Sequence, residues 1–176
     1  MRTLCEIDVL GDEAMRRRMG GFVLVVLVVG AAVALVLLTS GVRDAVAPPV
    51  WAALLLTLSL VALPLHELVH AAAFKLLGPP GTRVRLGAQE GMLYACAAGT
   101  LLSRRRFMAV LVAPALLASV AFFLLCVAAS LPLLAWCCGA MHLAGCAGDL
   151  IMAGAIWRER GCSHVRDTER GIELMG

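Results

Sequence analysis

"GFVLVVLVVGAAVALVLLTS", Gly21 to Ser40, holds no charged residue, and its only hydroxyl side chains are the last two. Twenty residues in a helix rise about 30 Å, the thickness of a bilayer's hydrocarbon core. About twenty mixed-charge residues precede the run. A secretory signal has a shorter apolar core of about 7–15 residues, so this segment is expected to remain as a membrane span.

The rest of the chain extends that reading. Of 176 residues, 61% are hydrophobic and 15% charged, whereas soluble domains run about 45–50% apolar and about 25% charged. A formal net charge of +3 is too small to suggest nucleic acid; the bilayer is the partner this composition demands. The seven cysteines are odd in number and form no CxxC pair. That argues against a disulfide framework or a thiolate zinc knuckle and for small apolar packing residues.

Residues 1–20 read as a polar, helical cytoplasmic tail ending in "MRRRMG". After the first span (21–40), the prolines of "GVRDAVAPP" stop one helix and start the next. Span two covers about 50–77, with Pro64 a candidate kink. Residues 78–106 carry turn signals at both ends and a Glu90-Gly91 turn between short alternating segments, the pattern of a β-hairpin. Span three is about 107–130, span four about 131–157, and residues 158–176 form a polar tail. The expected fold is therefore an all-α integral membrane protein: four transmembrane helices and a short cytoplasmic β-hairpin-like segment between helices 2 and 3.

Basic residues orient it. Arg16, Arg17 and Arg18 precede span one, Arg83, Arg85, Arg104, Arg105 and Arg106 lie between spans two and three, and Arg158, Arg160, Arg166 and Arg170 follow span four. The other side carries Arg43 alone. The positive-inside rule then places both termini and the central segment in the cytoplasm of a multi-pass protein of the cell membrane.

Within the spans, ionisable side chains are scarce: His66, Glu67 and His70 in span two, His142 and Asp149 in span four. A central acidic group costs about 2.5–3.5 kcal/mol to insert, so such groups generally face a polar interior and serve a function. "HELVH" sets two imidazoles one turn apart on one helical face, where they can converge on one ion. The glutamate between them can take a proton from an activated water and return it to a leaving amine. Two histidines hydrogen-bonded to backbone, with Glu67 paired to one of them, are the bland alternative.

A third ligand must come from span four. Both spans descend toward the cytoplasm, His70 and His66 lying seven and eleven residues above the end of span two and Asp149 eight above the end of span four. At ~1.5 Å per residue, Asp149 is level with the histidines and His142 roughly 10 Å deeper. Asp149 ranks first, while His142 remains a candidate for orienting a ligand, binding substrate or stabilising an oxyanion. Ala71, Ala72, Ala73 and the small residues of "GAMHLAGCAGD" allow close approach of the two spans. His164 reads as a surface residue of the tail.

These residues resemble two groups. "HELVH" with a later "GD" resembles the intramembrane zinc metalloproteases of the site-2 type, although Asp149 lies in "AGDLIM" rather than an Asn-Pro-Asp-Gly-like context. With "YACAAG" and "VRDTERGIEL", residues 50–174 are similar to a small bacterial family of four-span zincin peptidases whose function is unassigned. The resemblance implies one Zn²⁺ at His66, His70 and Asp149, Glu67 as catalytic base, an active site toward the cytoplasmic side, and a membrane-bound or membrane-proximal polypeptide substrate. The competing readings are a non-catalytic membrane protein with a structural metal site and a small metal-ion transporter.

Overall fold

The computed structural model describes residues 1–9, 11–89 and 92–176. Among them are five helices: α1 (Glu13–Thr39), α2 (Pro48–Leu77), α3 (Arg104–Ala128), α4 (Pro132–Gly145) and α5 (Ala147–Arg158). α1, α2 and α3 are each long and apolar enough to cross a membrane. α4 and α5 pass the same test together, bent by 57° at their junction. A straight fourth span over 131–157 is thereby corrected. Gly145 and Gly148 flank the break at Cys146, and glycine costs an interior helix about 1 kcal/mol relative to alanine.

Helix boundaries follow local chemistry. The Asp12 carboxylate accepts from the Ala14 N–H at 2.8 Å and caps α1. Prolines open α2 and α4 in the first turn, where no helical N–H is lost. The α4 start is also capped from afar: the Asp44 carboxylate accepts from the N–H groups of Leu133 and Leu134 and from the Trp51 indole. α1 and α4 touch at Gly30, where an added Cβ would lie 2.8 Å from the Ala140 Cβ. Elsewhere α1 turns Leu24, Val25, Leu35 and Val36 outward.

The all-α expectation fails at both termini. Strands β1 (Thr3–Asp8), β4 (Leu101–Ser103), β5 (His164–Asp167) and β6 (Gly171–Met175) form an antiparallel sheet in the order β1-β6-β5-β4. The N-terminal tail is thus a strand before it becomes a helix, with Cys5 opposite Leu174 and Ile7 opposite Ile172. The reason is period-two burial: Val165, Ile172 and Leu174 are fully buried, while Arg166 and Glu173 between them pair at 2.9 Å. Those apolar side chains join Phe74, Phe107, Val110 and Ile156 in one core cluster, so the sheet closes over the ends of α2, α3 and α5.

The segment between α2 and α3 pairs β2 (Arg85–Gln89) with β3 (Met92–Cys96), Arg85 opposite Cys96 and Gln89 opposite Met92. This is the hairpin pairing expected there; the Glu90-Gly91 turn itself lies outside the described residues. Leu101–Ser103 leaves that hairpin and joins the larger sheet instead.

Candidate metal centre

His66 and His70 lie on α2 and share a face, four residues apart, just after Pro64. Asp149 occupies the first turn of α5, where the helix dipole favours a negative charge. The bend at Cys146 swings that turn toward α2. His66 Nε2 then lies 3.0 Å from His70 Nε2 and 3.0 Å from Asp149 Oδ2, and His70 Nε2 lies 3.2 Å from Asp149 Oδ1. All three side chains are 8–13% exposed.

Hydrogen bonding assigns the nitrogens. His70 Nδ1 is 3.0 Å from the Val110 carbonyl, which can only accept, so Nδ1 carries the proton. In neutral His70 the Nε2 lone pair therefore points at the Asp149 carboxylate. Two acceptors at 3.2 Å repel unless a cation lies between them. Ligands bonded tetrahedrally at about 2.0–2.1 Å sit about 3.3 Å from one another. The observed separations of 3.0, 3.0 and 3.2 Å, with the two carboxylate contacts made by different Asp149 oxygens, are close to that size, so these residues fit a metal ion.

His142 is not 10 Å away, as a straight span would require. The bend places it behind His66, with Nε2 3.3 Å from His66 Nδ1 and Nδ1 2.9 Å from the Ser119 hydroxyl. Cys146 Sγ lies 3.8 Å from the same His66 nitrogen. Two groups among the described residues could hold an ion: His66, His70 and Asp149, or His66, His142 and Cys146. They compete for one imidazole, which offers a single lone-pair nitrogen while neutral. Only the first group uses the His70 lone pair that Val110 directs inward. With His66 Nε2 facing that group, its Nδ1–H donates to His142, and the His142 Nδ1–H donates to Ser119. The chain closes with no donor opposing a donor.

Glu67 faces the same space. Ala95 of β3 lines that space as well, so the hairpin leans on the centre. A cavity of about 620 Å³ joins Glu67, His66, His70 and Asp149 to apolar Leu60, Leu63 and Met141 on one side and to Thr168, Glu169 and Arg170 on the other.

Sequence reasoning missed several participants. Asp167 was left in the tail, yet its Oδ2 accepts from the Ala97 N–H at 2.6 Å, directly after β3. Burial pushes its carboxyl up to about 6, with the Ala97 N–H pulling the other way. Burial, reinforced by Asp167, likewise pushes the Cys96 thiol up to about 12. The apolar alternation of "HVRD" and "GIELM" is the signal that could have found this strand pair. Ser119 and the Val110 carbonyl left no trace in local pattern. His164 sits in β5, paired opposite Ser103 and Met175.

The fold and centre define a class: a mostly helical protein with a buried His₂–carboxylate group fit for a metal ion. The chain belongs to the family described as "Putative zincin peptidase", whose model matches residues 59–163. That span contains all five residues singled out in the spans. No curated protein and no solved structure matches the chain.

Proposed function

We propose that this protein is a multi-pass membrane zinc metallopeptidase that hydrolyses a peptide bond in or near the bilayer. His66, His70 and Asp149 hold the zinc and Glu67 is the general base. The observation that carries the reading is the convergence of the His66 Nε2, His70 Nε2 and Asp149 oxygens within 3.0–3.2 Å.

Membrane residence is supported by the outward apolar face of α1 and by topology. One sheet unites β1, which precedes α1, with β4 after α2 and β5 after α5. Each pair of crossings must then return to the same side, so α4 and α5 count as one bent span. The arginine clusters mark that side as cytoplasmic. His70 lies seven residues before the end of α2, about 10 Å below that surface.

Zinc bound there would supply Lewis acidity, polarising a scissile carbonyl and bringing a water's pKa toward ~7. The chain's own groups do the rest. Glu67, which lines the cavity beside Ala95, takes the proton of the attacking water and delivers it to the leaving nitrogen. His142 and Ser119 keep His66 in one tautomer. The apolar wall of Leu60, Leu63 and Met141 suits a hydrophobic polypeptide segment, and the polar wall at Thr168–Arg170 suits its cytoplasmic continuation.

A structural site would close the ion with four protein ligands, whereas the cavity reaches Glu67 and the ligand group together. The test is zinc content and cleavage of a membrane-tethered substrate by the wild type and Glu67→Gln. Zinc retained with cleavage abolished is the expected outcome; cleavage retained in the variant removes Glu67 from the chemistry.

A further inference from the structure

Pro114 lies inside α3 and is fully buried. In an α-helix the N–H of residue i donates to the carbonyl of residue i−4. Proline has no N–H, and its ring pushes that carbonyl aside. The carbonyl four residues before Pro114 is Val110, the one that accepts from His70 Nδ1 at 3.0 Å. Val110 is 0% exposed and His70 6%, so water does not compete for either group.

We infer that Pro114 is a positioning residue for the metal centre. By withholding a helical donor it leaves the Val110 carbonyl displaced from the α3 ladder and open to His70. That carbonyl fixes the His70 proton on Nδ1 and turns Nε2 toward His66 and Asp149. The proline acts through Val110 and His70 and touches neither substrate nor ion. The inference rests on the proposed role of His70 as a ligand. A proline serving only to shape α3 would affect folding and binding together; a positioning proline separates them.

Pro114→Ala restores the missing donor, so the Val110 carbonyl is drawn back into the helical ladder. The test uses the full-length protein in detergent, with Co²⁺ as the probe, and reads affinity, the ligand-field spectrum and the metal-free melting temperature. Alanine is the better helix former, which offsets the buried acceptor lost to His70 Nδ1–H, so the metal-free melting temperature should change little. Co²⁺ affinity should fall about ten- to hundredfold, the usual cost of losing a group that orients a ligand, and the spectrum should shift. A Pro114→Ala, Ala115→Pro double variant keeps a proline in α3 but frees the Leu111 carbonyl, about 100° around the helix. It should bind as weakly as the single variant.

Wild-type affinity and spectrum in either variant overturn the inference. So does an affinity loss matched by a fall in the metal-free melting temperature of Pro114→Ala. A wild-type protein that binds neither Co²⁺ nor Zn²⁺ overturns the proposed function as well, whereas normal wild-type binding with an unaltered variant overturns this inference alone.

Discussion

Replacing Asp149 and His142 by alanine, one at a time, should weaken zinc binding by very different amounts. Asp149 contributes oxygens 3.0 and 3.2 Å from the two Nε2 atoms. His142 reaches the far nitrogen of His66, at 3.3 Å. A structural zinc bound with about 10–16 kcal/mol and shared among three ligands assigns each about 3–5 kcal/mol. Asp149→Ala should therefore cost on the order of a thousandfold in affinity. A residue that only orients a ligand is worth about ten- to hundredfold, or about 1.4–2.8 kcal/mol. His142→Ala belongs there, with an added stability cost because His66 Nδ1–H and the Ser119 hydroxyl both lose a buried partner. His142→Gln keeps an acceptor for His66 and a donor for Ser119, and should recover most of the affinity. Competition against a chromophoric chelator in detergent measures all three. If His142→Ala loses more affinity than Asp149→Ala, His142 is the third ligand and the centre has been read the wrong way round.

Asp44→Ala removes the acceptor for three hydrogen bonds that cap α4 and anchor Trp51. At about 1 kcal/mol each, it should lower stability by about 2–4 kcal/mol with zinc affinity preserved, read as a melting temperature beside a zinc titration. Asp167 gives a pH signature. Its folded pKa of about 6 exceeds the unfolded value, ~3.9. The folded state thus binds more protons than the unfolded state between those values. The group's stabilising contribution is full below about pH 4 and falls by roughly 3 kcal/mol as pH rises through about 6. Asp167→Asn retains an oxygen for the Ala97 N–H and should erase that slope in melting temperatures taken from pH 4 to 8. An unchanged slope would place the titration elsewhere.

How much was legible in advance depended on the range of the physics. The apolar helices were, because some twenty uncharged residues in a row decide against water before any contact forms. The His66–Glu67–His70 arrangement was legible for a similar reason: i and i+4 share a face in any helix. Asp149 was reached by counting depth along two spans, and the structure brings it within 3.0 Å of His66. The same counting misplaced His142, since it assumed a straight helix where the chain bends 57° at Cys146. The terminal strands were missed because Cys5 and Leu174 pair across nearly the whole chain, and a short alternating strand gains its burial only when its partners arrive.

The chain's own chemistry therefore settled which segments are helical and apolar, which face of α2 carries the imidazoles, and which residue types are suited to hold an ion. Those properties are local, set by composition and by the 3.6-residue period. Only the tertiary structure decided that α5 turns its first turn toward α2, that His142 backs His66, and that Val110 holds His70. Each of these depends on where a second helix lies in space, to within the length of a hydrogen bond. Pro114 lies between the two: the missing N–H is written in the sequence, but its use appears only where α2 packs against α3.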